Sequence, residues 1–146
     1  MSNLREELLY QHAWLEQALN DLAFAAEAAD DTALRGAWSE VERGLLRHID
    51  FEERELFPLI APFHAAGVDA LRGDHDRIRK LVADLGVRAD LHTLRKDTVD
   101  ALVESLRRHA EHEDRTLYHW VEEQAPEDTR RHLLSLFAKT ARADLR

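Results

Sequence analysis

Two stretches of this sequence repeat one arrangement, a histidine followed four residues later by a glutamate: His48 and Glu52 in RHIDFEERELFP, His109 and Glu113 in RRHAEHEDRTLY. A single histidine precedes each pair by nearly the same interval, His12 in the first half and His75, within GDHDRI, in the second. On a helix, residues four apart share one face about a turn apart, so each His/Glu pair can present nitrogen and oxygen donors to one point. Four imidazoles and two carboxylates in two equivalent sets suit two metal ions, each taking two imidazoles, with Glu52 and Glu113 each able to bridge them. Mixed imidazole and carboxylate donors favour iron, with manganese and zinc as alternatives.

Helices must position these groups. The chain is poor in glycine and proline, and apolar residues recur three and four apart nearly throughout, with no strand pattern in competition. Helices are expected over about 3–29, 32–60, 69–85, 90–123 and 126–143. The Asp30-Asp31-Thr32 break should cap the second, Pro58 should kink or end it, Gly86 should close the third, and Pro126 suits the first turn of the fifth. The expected fold is all-α: an up-down-up-down antiparallel four-helix bundle over about 4–123, with a short C-terminal helix carrying Leu133, Leu134 and Phe137 across it, all one domain over 1–146.

Tracing the inward seam of each helix explains why the six residues converge. The first reads Leu8, His12, Leu15, Leu19, Leu22, and the third repeats its steps as Leu71, His75, Ile78, Val82, Leu85. The second reads Trp38, Val41, Leu45, His48, Glu52, Leu56, and the fourth Leu102, Leu106, His109, Glu113, Leu117, Trp120. Burying a carboxylate without compensation costs several kcal/mol. Two such burials, each a turn from a histidine, call for a cation.

Composition narrows the classes further. A chain of 146 residues with 45% hydrophobic content can bury a core unaided. The absence of cysteine removes disulfides, thiol nucleophiles, thiolate-bound zinc, iron–sulfur clusters and covalent haem. A net charge of −9 with scattered Lys and Arg argues against a nucleic-acid partner. The nearest apolar run, Leu22 to Ala29, is short and broken by Glu27, so no membrane association is expected and the chain reads as cytoplasmic. The open sides of such a bundle leave room for a homodimer.

The other candidates are weaker. His12/Glu16 and His119/Glu123 share the four-residue step, but Glu16 and Glu123 fall off the seams, and Arg79 stands where a counterpart of Glu16 would be. No histidine has a glutamate three residues before it, which excludes the Glu-x-x-His di-metal bundles, and His112-Glu113 lacks the second histidine of the zinc-peptidase pattern. His112 lies one turn beyond His109 and could rotate in as a fifth imidazole, with a surface role as the plainer reading. Glu53 reads as a solvated or supporting carboxylate, Asp74 and Asp76 as helix-surface charge or as partners for the other ring nitrogen of His75. His64, His92 and His132 read as surface residues, Trp38 and Trp120 as core, and Tyr118, whose echo is Phe57, as packing. Without a metal, the alternative is two buried His/Glu hydrogen-bonded pairs and two ordinary interior histidines.

In these residues the chain resembles the hemerythrin-like proteins, the HHE cation-binding domains, over about 4–123. The resemblance implies a non-haem di-iron centre with His12, His48, His75 and His109 as terminal ligands, and with Glu52 and Glu113 bridging the irons beside an oxo or hydroxo group. Oxygen-carrying members have a second histidine on the third helix, four after the first; here that place is Arg79. With about six donors per iron, some positions are left for exogenous ligands. The expected function is therefore binding of, or reaction with, O2, peroxide or NO in redox defence or sensing, with no substrate-pocket signature to define an enzyme. The alternatives are an iron-homeostasis or iron-sensing module and a metal-free helical interaction module.

Overall fold

The computed structural model describes residues 4–144. Among these there is no strand: the order is α1 (Leu4–Ala28), α2 (Asp31–Phe51), a π-helical turn (Glu52–Leu56), α3 (Phe57–Ile60), α4 (Ala65–Asp90), α5 (Lys96–Glu113), a second π turn (Asp114–Tyr118), α6 (His119–Gln124) and α7 (Glu127–Asp144). The long helices close a ring of contacts, α1 against α2 and α5, and α4 against α2 and α5, while α7 packs on α1. No described helix is long and apolar enough to cross a membrane.

The seams face inward as the periodicity requires. Leu19, Leu22, Val41, Leu45, Ile78 and Leu102 belong to one buried apolar cluster, and Leu56, Phe57, Leu71, Leu117, Tyr118 and Leu133 to a second. The buried polar residues Glu52, His75 and Glu113 fall in sequence between the members of these clusters, so a polar layer divides the core. Trp38 and Trp120 are buried, whereas Trp14 is half exposed and its ring lies on Gly44, where a β-carbon would fall 2.0 Å from it. Leu133 is fully buried and Leu134 partly so; the side chains of Leu8 and Phe137 lie outside the described residues.

Several boundaries differ from expectation, each for a local reason. Asp30 caps α2 as expected, its carboxylate accepting from the Ala33 N–H at 3.1 Å. Gly86 does not end the third long helix, which begins earlier, at Ala65, and runs on to Asp90. At Gly86 a β-carbon would sit 3.1 Å from Glu42 Oε2, the movable end of a side chain on α2. The left-handed residue after α4 is His92, at φ 58°, and α5 starts only at Lys96. His92 is thus in the connection, where its Nδ1 meets Asp31 Oδ2 at 2.7 Å.

The expected kink at Pro58 takes the form of a π turn just before it, with the Phe57 N–H bonding the Glu52 carbonyl. Pro58 then sits in the first turn of α3, where a missing N–H is tolerated. Proline does not cause the π turn, because the second half carries His119 at the equivalent place and forms the same turn, with the His119 N–H reaching the Asp114 carbonyl. What the two turns share is the inward glutamate immediately before or within them. Replacing Pro58→His should therefore leave the helical content intact and the stability within about 1 kcal/mol; a loss of several kcal/mol in chemical denaturation would show that proline imposes the turn.

Candidate metal centre

Each long helix delivers its histidine to one buried layer. Glu52, His75, His109 and Glu113 place one donor atom each within 4.8 Å of one another, and His12, His48 and Glu113 do the same, so Glu113 belongs to both groups. Glu113 joins the two by using both oxygens: Oε1 lies 2.7 Å from His109 Nε2 and 3.6 Å from His75 Nε2, and Oε2 lies 3.0 Å from His12 Nε2. Glu52 Oε1 is 2.8 Å from His48 Nε2 and 3.7 Å from His75 Nε2. The rings meet edge to face within each half of this layer, His12 with His48 at 5.3 Å and His75 with His109 at 5.0 Å between centroids.

Closeness here is not hydrogen bonding. His48 Nε2, both Glu52 oxygens, both His75 nitrogens, His109 Nε2 and Glu113 Oε1 are buried without a hydrogen-bond partner. Since pairs such as His48 and Glu52 are within bonding distance, it is direction that fails: the ring nitrogens and carboxylate oxygens do not lie along each other's bonds. Buried orphans of this kind cost about 1–3 kcal/mol each, and a cation in the layer would satisfy all of them but His75 Nδ1, which faces Glu53. The donors present fit a metal.

Charge obeys the same geometry. Burial opposes the imidazolium of His75, but Glu113 and Glu52 outweigh it and push its pKa up to about 9. Burial and Glu52 act on His48, and burial and Glu113 on His109, with the same upward result. Burial alone would raise Glu113, yet His109, His12 and His75 hold it well below the usual carboxylate range.

The surrounding residues correct part of what periodicity suggests. Asp74 accepts from His109 Nδ1 at 3.0 Å and from His112 Nδ1 at 2.7 Å, so it orients the ring of α5 across the bundle and not that of its neighbour His75. His112 is thereby held outside the cluster, and Asp76 is exposed, 3.9 Å from Arg79. The His75 Nδ1 faces Glu53 at 3.6 Å, and Glu53 is itself gripped by Arg79 through two hydrogen bonds, which keep its pKa low. Glu16 pairs with Arg107 at the surface. His132 is exposed, but His64 is half buried, its ring folded over Gly67 at the start of α4.

Tyr118 departs furthest from its expected role. It does pack, but its fully buried hydroxyl donates to Glu113 Oε2 at 2.9 Å and stands 2.7 Å from His12 Nε2. Its echo Phe57 takes the matching position in the other half, stacked on His75 at 5.2 Å, while the Tyr118 ring lies 5.2 Å from that of His12. The echo gives the correct place and hides the hydroxyl. Burial, Glu113 and Glu52 all raise the Tyr118 pKa well above its ordinary value, so the phenol stays protonated.

A helical bundle with a buried, shared His/Glu donor set is the architecture of a cation-binding domain. The family model for the hemerythrin HHE cation-binding domain matches residues 3–121, and the chain belongs to that family. No curated protein and no solved structure matches significantly.

The metal-free protein should show the mark of these charges. A pKa of about 9 for folded His75, against 6.5 for an ordinary imidazole, contributes stability that is complete below about pH 6.5 and lost as pH rises through about 9. The depressed Glu113 acts oppositely, its contribution holding above the usual carboxylate range and vanishing on acidification below it. Thermal melts of the chelator-treated chain should therefore peak in mildly acidic buffer and decline steadily toward pH 9.5. A melting temperature that rises over that interval would contradict the assignment.

Proposed function

We propose that this chain binds two iron ions in its buried layer and that the loaded protein binds or reacts with O2, peroxide or NO, serving redox defence or sensing in the cytoplasm. In this reading the long helices run up and down as an antiparallel bundle, His12, His48, His75 and His109 are terminal ligands, and Glu52 and Glu113 bridge. The observation that carries it is the pair of donor groups sharing Glu113, with six polar atoms of the layer buried and unpartnered. A metal-free interaction module would have to carry those orphans at a cost its apolar clusters do not require. Iron in this nitrogen and oxygen environment supplies one-electron redox chemistry and positions for small exogenous ligands.

The chain's own residues then have distinct tasks. Asp74 on His109 Nδ1 fixes the orientation of that ring and raises its basicity, and Glu53 sets a negative charge 3.6 Å from His75 Nδ1. No equivalent of the fifth histidine of oxygen carriers is present, because Arg79 stands in its place and commits its guanidinium to Glu53. The His12/His48 group has three donors against four in the other, and the Tyr118 hydroxyl, whose one proton goes to Glu113 Oε2, lies beside His12 Nε2. A more open side favours reaction over reversible carriage.

Elemental analysis of purified protein should give about two irons per chain, with a near-ultraviolet ferric band that bleaches on reduction and returns in air. His48→Ala should lose that band and at least half the metal. A His48→Ala protein that keeps both irons and the spectrum would overturn the ligand assignment.

A further inference from the structure

The two halves of the molecule echo each other, α1 with α4 and α2 with α5, and this makes each half a control for the other. On the α2 side, the residue after His48 is Ile49, 1% exposed and part of the apolar core. Its equivalent after His109 is Ala110, half buried and three carbons smaller. The residue after His12 is likewise small, Ala13, where the other half has Asp76. These two alanines line one cleft between α1 and α5, about 400 Å³ in volume, walled by Leu15, Leu19 and Leu106, with His12 among its lining residues. At the rim Arg107 donates to Glu16 at 3.0 and 2.6 Å, tying the two helices together.

Size and charge select what such a cleft can take. A diatomic gas or hydrogen peroxide occupies a volume close to that of a water molecule, about 30 Å³ in the liquid, and would leave most of it unfilled. About 400 Å³ is in the range of sites for organic molecules. The walls are aliphatic, the one guanidinium in the lining is already paired with Glu16, and Glu111 adds a further negative charge, so anions are disfavoured. His12 is the imidazole in the lining, and since its Nε2 adjoins the Tyr118 hydroxyl and Glu113, the cleft abuts the donor layer at this ring.

We propose that the α1/α5 cleft binds a small uncharged organic molecule, its apolar body against Leu15, Leu19 and Leu106 and its oxygen-bearing end toward His12. Resting on the function proposed above, this makes an organic hydroperoxide the class of peroxide the site accommodates best. Substitution of Ala110 by the isoleucine of the opposite half removes the space the ligand needs.

The test uses the full chain, ¹⁵N-labelled and loaded with redox-silent zinc, titrated with cumyl alcohol as an inert stand-in for the hydroperoxide. Saturable amide shifts centred on Ala13, Leu15, Leu106 and Ala110 are expected. Ala110→Ile should weaken binding by about tenfold or more, and so should Ala13→Leu, which fills the cleft from an exposed position and keeps the test open if the first variant folds poorly. Non-saturating or scattered shifts, or an affinity that neither variant lowers, would overturn the proposal. Iron uptake by a second aliquot under anaerobic conditions separates the two readings: a chain that takes up no iron refutes the metal centre, while the alcohol titration still judges the cleft.

Discussion

The structure turns on two carboxylates, Glu52 and Glu113, each about 1% exposed or less and held at the centre of a helical bundle. In water each would be fully hydrated. Here their oxygens face imidazole nitrogens that are near but not aligned to bond with them. In the absence of metal the histidines carry the balancing charge, which is why burial fails to hold the His75 pKa down. A cation replaces those protons with one or two concentrated charges, so metal uptake must release protons and stabilise the fold together. The divided core meets the same requirement, since apolar clusters above and below the layer exclude the water that would otherwise solvate the glutamates.

The two halves solve this problem in parallel and then diverge where chemistry would differ. Both place a π turn at the inward glutamate, and both set an aromatic residue five positions later against the single histidine of the other hairpin. A π turn widens the helix locally and shifts the register of the residues beyond it, letting Phe57 and Tyr118 reach across. In one half that aromatic is inert and stacked on a buried His75; in the other it carries a hydroxyl beside His12, and the adjoining wall is alanine where its counterpart is isoleucine. Carboxylate support is likewise unequal, with Asp74 and Glu53 against the rings of His109 and His75.

Much of this is visible in the sequence because helical periodicity is a strong constraint. Once Leu45 and Leu56 are placed inward, His48 and Glu52 must go with them, and the echo with Leu106, His109, Glu113 and Leu117 repeats the inference independently. What periodicity cannot supply is contact across helices. That Asp74 serves His109 and His112, and that Arg79 holds Glu53, depends on how α4 sits against its neighbours. Turn chemistry misleads at Gly86, which lies inside α4, and the left-handed turn falls to His92, a residue type that takes this conformation more often than most but far less readily than glycine. Tyr118 is misread when symmetry is taken as identity, because the one atom by which it exceeds Phe57 is the atom in the site.

The central claim is that Glu52 and Glu113 jointly hold two metal ions. Crystals of the anaerobically iron-loaded chain, measured at the iron absorption edge, test it directly. Two anomalous peaks about 3.5–4 Å apart, one against His12 and His48 and the other against His75 and His109, with both glutamates between them, are the predicted result. One peak, or peaks away from this layer, would contradict the account.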